Sequence, residues 1–130
     1  MDVKSKAYQE LLKKRPLNVQ ARFGDSEMGL VSGRDIVAAA KKVDSIVLAA
    51  NARHPLVLKA VLKAAKKKNA AVLVELAKSE STYCGATYEN LPEYALKFSE
   101  EIGNGAVFGL HVDHYAIKSQ ADVLKGVGHL

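Results

Sequence analysis

The chain has 130 residues, 48% hydrophobic and 25% charged, which is typical of one globular domain and excludes a disordered chain. The formal net charge is +5, and the basic residues cluster in runs at residues 13–15, 41–42 and 66–68. We interpret these runs as solvated helix faces, because no aromatic residues alternate with them to stack on bases. We therefore expect no nucleic-acid partner.

The sequence also bears on membrane contact and compartment. No apolar run approaches the ~18 residues that span a bilayer, and the first residues lack the apolar core of a secretory signal. Cys84 is the single cysteine, so it has no partner for an internal disulfide. We expect no membrane contact and a reducing, cytoplasmic location.

The first quarter of the chain predicts a helix, a strand and a loop. Residues 3–15 place apolar residues among lysines with the period of a short amphipathic helix, which Pro16 ends. Apolar and polar residues alternate over residues 17–23, which predicts a half-buried strand. Residues 24–33 are rich in glycine and predict a loop.

From residue 34 onward, helices and strands alternate. Ser32 and His54 are predicted helix N-caps, Pro55 suits a first helical turn, and Gly103 is a predicted helix terminator. The strands are short apolar runs, typical of strands that are buried on both faces. The predicted helices cover residues 34–42, 55–68, 92–102 and 119–125, and the predicted strands cover residues 45–50, 70–76 and 106–111.

This order of elements predicts βαβ units on a parallel sheet. No strand is followed by a glycine-rich phosphate loop, which favours a barrel over a doubly wound nucleotide-binding sheet. A complete barrel has about 250 residues, so we expect an α/β fold that is a partial TIM (β/α)8 barrel of about three βα units. We predict a single domain, with residues 1–32 as an N-terminal extension and residues 33–130 as the partial barrel.

The clearest chemical signal is the group His111, Asp113 and His114 at the end of the third predicted strand. Reactive groups of parallel α/β proteins collect at such ends, where imidazoles bind metals and a carboxylate acts as acid or base. On a regular strand His111 and Asp113 share one face, so His114 joins them only if the strand ends near Val112. A His–Asp pair can equally cap a strand, and a catalytic zinc usually needs three protein ligands.

Residues 46–125 resemble the N-terminal part of the class II, metal-dependent fructose-bisphosphate aldolase family. The most specific match is Leu110-His111-Val112-Asp113-His114, which is similar to the family's Leu-His-x-Asp-His sequence. Order and spacing also agree for earlier features, namely Asn51 at the end of the first predicted strand, the helix from Pro55, the strand at residues 71–75 and the tripeptide Tyr83-Cys84-Gly85.

The resemblance implies a role for each matching residue. Asp113 would be the catalytic aspartate, which handles the proton of the hydroxyl formed or cleaved in the aldol step. His114 would be a ligand of Zn²⁺ or another divalent metal. His111 would not bind the metal itself but would help to hold its ligands in place. Asn51 would contact the substrate. The metal would polarise the ketose carbonyl, so that no lysine Schiff base is required.

The implied function is zinc-dependent aldol cleavage or condensation of a ketose bisphosphate, with a sugar phosphate as substrate. The sequence departs from the family at Ala77, where a serine is usual, and residues 1–32 have no counterpart. The family's remaining zinc ligands and phosphate loops lie in later strands, so we expect a fragment with a partial site that is inactive alone. The alternative is a non-catalytic α/β binding module that acts as a homo-oligomer, because open sheet edges favour association.

Overall fold

The computed structural model describes residues 1–121 and residue 123, so residues 122, 124 and 125 of the helix predicted over residues 119–125 lie outside the described residues. No helix in that part of the chain is long and apolar enough to cross a membrane. The helices are α1 (Lys6–Lys13), α2 (Leu17–Phe23), α3 (Gly33–Lys42), α4 (Pro55–Lys68) and α5 (Leu91–Glu101), with a short 3-10 turn at Glu80–Thr82. The strands are β1 (Gly29–Leu30), β2 (Leu48–Asn51), β3 (Ala71–Ala77) and β4 (Val107–Asp113).

The strands form one parallel sheet in the order β1-β4-β3-β2. Helix α4 connects β2 to β3, and α5 connects β3 to β4, which confirms the predicted βαβ units and the α/β class. One strand of the sheet was not predicted, because β1 lies in the segment predicted as a loop and pairs with the start of β4. Among the described residues, β1 and β2 each pair with one neighbour, so the sheet is open at both edges.

The hydrophobic core lies between one face of the sheet and helices α4 and α5. Val72, Val74 and Leu76 alternate along β3 and are all buried, as a strand of period two requires. The predicted apolar face of α4 packs in the same cluster through Leu58 and Leu62, which are fully buried. Each such side chain contributes roughly 1.5–3 kcal/mol by leaving water.

Helix α3 covers part of the opposite face of the sheet. A Cβ atom added to Gly109 would lie 3.0 Å from the backbone of Gly33, the first residue of α3, and 3.2 Å from the Leu73 side chain. Glycine at position 109 therefore allows the helix to approach the strand closely. Leu73 and Gly109 alternate along their strands with the core residues, so they face the opposite side of the sheet. Helix α3, which contacts them, therefore lies on the side away from α4 and α5.

The strand predicted over residues 17–23 is wrong, because this segment forms helix α2. Val19 and Phe23 are one helical turn apart and both are buried, whereas Leu17 is 84% exposed. Apolar residues at every second position also include pairs that are four positions apart, which lie on one side of a helix. Burial of one such pair is enough to hold a short helix against the core.

Residues 1–30 pack tightly on the rest of the domain. Tyr8 is fully buried, and its hydroxyl donates to the Glu27 carbonyl at 2.7 Å and accepts from the Gly105 N–H at 3.2 Å. Arg15 is only 7% exposed, so the interpretation of residues 13–15 as a solvated face is wrong at its last residue. The Tyr8 hydroxyl thus joins the N-terminal segment to the turn before β4, and Arg15 binds parts of the segment to one another.

Strand β2 differs from the prediction in position and in burial. It begins at Leu48, which is 69% exposed, and the preceding Ile46 is 98% exposed. The segment was expected to be buried on both faces, but β2 is an edge strand that β3 flanks on one side. An apolar run therefore predicted the strand but not its place in the sheet.

The helix ends agree with most of the predicted signals. His54 is the N-cap of α4, and its Nδ1 accepts the Leu56 N–H at 3.2 Å. Gly103 follows α5 with a φ of +72°, the left-handed conformation expected of a terminator. Ser32 is the N-cap of α3, but its side chain makes no capping hydrogen bond with the residues that the structure describes.

Candidate active site

Three of the predicted site residues lie on one face of the sheet, at the end where the carboxyl termini of its parallel strands meet. We call this end of the sheet its carboxyl edge. The strand register pairs Asn51 with Glu75, Glu75 with His111, and Ala77 with Asp113. Residues in register share a face, and these positions alternate with the buried core positions. Asn51, His111 and Asp113 therefore project on the side that carries α3, beyond the part of the face that α3 covers.

His111 forms a side-chain pair with Glu75 on the neighbouring strand. The His111 Nδ1 and Glu75 Oε2 atoms are 3.2 Å apart, with the His111 side chain 47% exposed and the Glu75 side chain 19% exposed. Glu75 thus orients the imidazole ring in the middle of the carboxyl edge. Sequence reasoning gave Glu75 no role, although its place at the end of a predicted strand was visible.

Asp113 and His114 lie side by side, although β4 does not end at Val112, the condition that we expected this placement to need. Strand β4 continues to Asp113, past Val112, so strand alternation alone would direct His114 to the other face. His114 instead has a φ of +47°, a left-handed turn that costs roughly 1–2 kcal/mol for a residue with a Cβ. The turn brings the His114 Nε2 atom to 3.5 Å from the Asp113 Oδ1 atom.

The loop after β4 is attached to the loop after β3. The Lys78 N–H donates to the Asp113 carbonyl at 3.2 Å, and the Lys78 ammonium donates to the Ala116 carbonyl at 3.3 Å. The same ammonium lies 4.6 Å from the centre of the Tyr115 ring, which packs at 5.9 Å from the ring of Tyr88. These contacts hold the backbone on both sides of His114.

Asn51 belongs to a second network, centred on Glu80. The Asn51 Nδ2 atom donates to Glu80 Oε2 at 2.6 Å, and Arg53 Nη2 lies 2.9 Å from Glu80 Oε1. The Ala77 N–H also points at Glu80 Oε2, at 3.4 Å. Glu80 is 8% exposed, so this carboxylate is buried at the edge of the site. Glu80 was not singled out from the sequence, because a glutamate in a long loop carries no signal of burial.

The pKa of Glu80 is lowered from its ordinary value. The largest cause is the hydrogen bond from Asn51, which burial of the carboxylate partly offsets. The Ala77 N–H and the charges of Arg53 and His114 lower the pKa further.

This lowered pKa predicts an acid-sensitive contribution of Glu80 to stability. The contribution is present above the ordinary glutamate pKa of 4.5 and is lost as the pH falls through the folded value. We expect Glu80→Gln to flatten the decline of the unfolding free energy below pH 4.5, measured by urea denaturation. Glu100→Gln, at an exposed position, is the control. An acid decline in Glu80→Gln as steep as in the unsubstituted protein would contradict the prediction.

The donor set at this edge does not make a complete metal site. Across residues 1–121 and 123, no three His, Cys, Asp or Glu side chains come close enough together to hold an ion. His114, with its side chain 84% exposed, offers one imidazole beside one carboxylate. A catalytic zinc usually has three protein ligands and an open position. The residues present therefore do not by themselves fit the zinc centre that the resemblance implied.

The parallel sheet with polar side chains at its carboxyl edge defines an α/β protein of the kind that builds enzyme sites there. A model of the class II fructose-bisphosphate aldolase family matches residues 31–126 of the 130. The chain belongs to the class II fructose-bisphosphate aldolase family, as the resemblance indicated. No curated protein matches the sequence significantly. The matched range contains Asn51, His111, Asp113 and His114.

Proposed function

We propose that this chain supplies part of a site for the aldol cleavage or condensation of a ketose bisphosphate, and that a single copy is inactive until further ligands complete the site. The observation that carries the proposal is the Asp113–His114 pair at the end of β4, inside the range that matches the family. Asp113 is the proposed catalytic residue, His114 a metal ligand, His111 a supporting residue and Asn51 a substrate contact. The proposed substrate is a sugar phosphate, and the proposed location is the cytoplasm.

The partial exposure of Asp113 supports its proposed role in proton transfer. Its side chain is 26% exposed, so a substrate hydroxyl can reach the carboxylate from the open side of the sheet. In the cleavage direction, the carboxylate takes the proton of the hydroxyl as the adjacent carbon–carbon bond breaks. The products are an aldehyde and an enediolate, which takes a proton from solvent on carbon while Asp113 releases its proton to solvent. Condensation is the same sequence reversed, with Asp113 returning the proton.

The proposal includes Zn²⁺ as the cofactor and requires further ligands. His114 supplies one imidazole, and the others must come from outside the described residues or from a second copy of the chain. We propose a homo-oligomer and a partial (β/α)8 barrel, because the sheet leaves β2 open at its outer edge.

Cleavage of fructose 1,6-bisphosphate by the full chain tests the proposal. We expect triose phosphate formation with zinc, its loss after a chelator and its recovery when zinc is restored. Tagatose 1,6-bisphosphate in a parallel reaction distinguishes the substrate, and sedimentation over the same concentrations shows whether activity follows self-association. A folded, zinc-treated chain that leaves both ketose bisphosphates intact at every concentration would exclude the proposed reaction.

The second candidate function is a non-catalytic binding module that acts as an oligomer. Two observations favour it, namely the exposed apolar side chains at the β2 edge, Ile46 at 98% and Leu48 at 69%, and the short ligand set. A module of this kind self-associates in sedimentation but neither binds zinc nor cleaves a ketose bisphosphate. Zinc-dependent cleavage excludes it.

A further inference from the structure

We propose that Glu80 is a positioning residue that fixes the side-chain amide of Asn51, so that Asn51 meets the substrate as a hydrogen-bond donor. The inference rests on the proposed function, because the substrate contact of Asn51 is part of that function. It adds the residue that orients this contact and the kind of substrate atom that the contact takes.

The first step is the count of hydrogen bonds at Asn51. An asparagine amide has two N–H donors and one oxygen with two lone pairs. One N–H donates to Glu80, and the Oδ1 atom accepts both from the Arg53 backbone N–H at 3.0 Å and from Arg53 Nε at 3.1 Å. The oxygen therefore has two donors, and the second N–H, which has no partner among residues 1–121 and 123, is the group left for a ligand.

The second step is that Glu80 and Arg53 determine which way the amide points. A carboxylate only accepts hydrogen bonds, so it must face Nδ2, whereas both groups from Arg53 only donate and must face Oδ1. A turn of the amide through 180° would place donor against donor on one side and acceptor against acceptor on the other. One orientation of Asn51 is thus strongly preferred.

The third step is that Glu80 is itself held in place. Its side chain is 10% exposed, and Oε1 pairs with the Arg53 guanidinium while Oε2 also faces the Ala77 N–H. A glutamate is ionised at neutral pH, and the lowered pKa of Glu80 agrees with its role as an acceptor. The substrate atom opposite Asn51 must then be an acceptor, such as a carbonyl, hydroxyl or phosphate oxygen.

Side-chain NMR tests the positioning directly. The Asn51 Nδ2 signals are assigned by their loss in Asn51→Asp, and we expect Glu80→Gln to shift both of them, because a carboxamide can present a donor to the amide. Glu80→Asp keeps a carboxylate and should stay closer to the unsubstituted spectrum. Glu93→Gln is the matched control, because Glu93 pairs with Arg22 at 2.6 Å on the surface. Asn51 signals that do not move in folded Glu80→Gln would overturn the proposal.

The kinetic readout separates positioning from a general structural effect. In the aldol assay we expect Glu80→Gln to raise KM about tenfold, the factor set by one charge-assisted hydrogen bond, with kcat little changed. Shifted Asn51 signals with an unchanged KM would overturn the donor role toward substrate. If the unsubstituted chain shows no aldol activity, the proposed function fails, and the NMR comparison alone decides whether Glu80 positions Asn51.

Discussion

Asp113→Asn is expected to lower kcat for ketose bisphosphate cleavage by about 10²–10⁴-fold, the range of general acid–base catalysis. The substitution keeps the size of the side chain and removes the group that takes the hydroxyl proton. KM should change little, because the amide still fills the same space beside His114 at the end of β4. The measurement is steady-state kinetics of the zinc-treated protein with fructose 1,6-bisphosphate.

The control for Asp113→Asn is Asp25→Asn, which makes the same chemical change at an exposed position in the N-terminal segment. The fold should survive in both variants. Asp25 is exposed, and the Asp113 backbone carbonyl, which accepts from the Lys78 N–H, is unchanged by the substitution. Circular dichroism verifies this. A kcat within about fivefold of the unsubstituted value in folded Asp113→Asn would remove Asp113 from the proton transfer.

The carboxyl-edge residues could be identified from sequence because they depend on local patterns. Buried strands have continuous apolar runs, parallel strands share a carboxyl edge, and the residue types after each run are visible. These facts were enough to bring Asn51, His111 and Asp113 to one edge, as the register shows. The turn at His114 was not predictable, because a left-handed φ at a histidine is imposed by surrounding contacts rather than by the residue type.

Features that depend on long-range contacts were missed. Strand β1 has two residues and exists only because it pairs with Val107 and Phe108, which are distant in the sequence. Glu80 gains its role from Asn51, 29 positions away along the chain. The exposure of Leu48 depends on which strands flank β2, and apolar runs contain no information about sheet order. In each case tertiary context outweighs the local pattern.

Arg15→Ala is expected to lower the free energy of unfolding by about 3 kcal/mol or more, because it removes a hydrogen-bond donor from five carbonyl groups that are buried or partly buried. The Arg15 guanidinium reaches across the end of α1, the carboxyl end of α2 and the approach to β1. Its donors point at the carbonyl oxygens of Leu12, Phe23, Gly24, Ser26 and Met28, at distances of 3.0–3.4 Å.

These hydrogen bonds to five carbonyl oxygens explain why position 15 carries an arginine. A guanidinium presents five N–H groups in a planar fork, whereas a lysine ammonium presents three from one point. Arg15→Lys should therefore recover only part of the lost stability. The positive charge also lies next to the last carbonyls of α2, where the helix dipole is negative. Both effects hold α1, α2 and the residues just before β1 together.

Urea denaturation at neutral pH measures the loss, with Lys13→Ala as the control. Lys13 precedes Arg15 by half a helical turn, its side chain is 71% exposed, and its ion pair with Glu10 lies on the surface, so its removal should cost less than about 0.5 kcal/mol. A loss below about 1 kcal/mol in Arg15→Ala would mean that water replaces the guanidinium at these carbonyls. A large loss would show that the Arg15 guanidinium holds together the segment that precedes the family match.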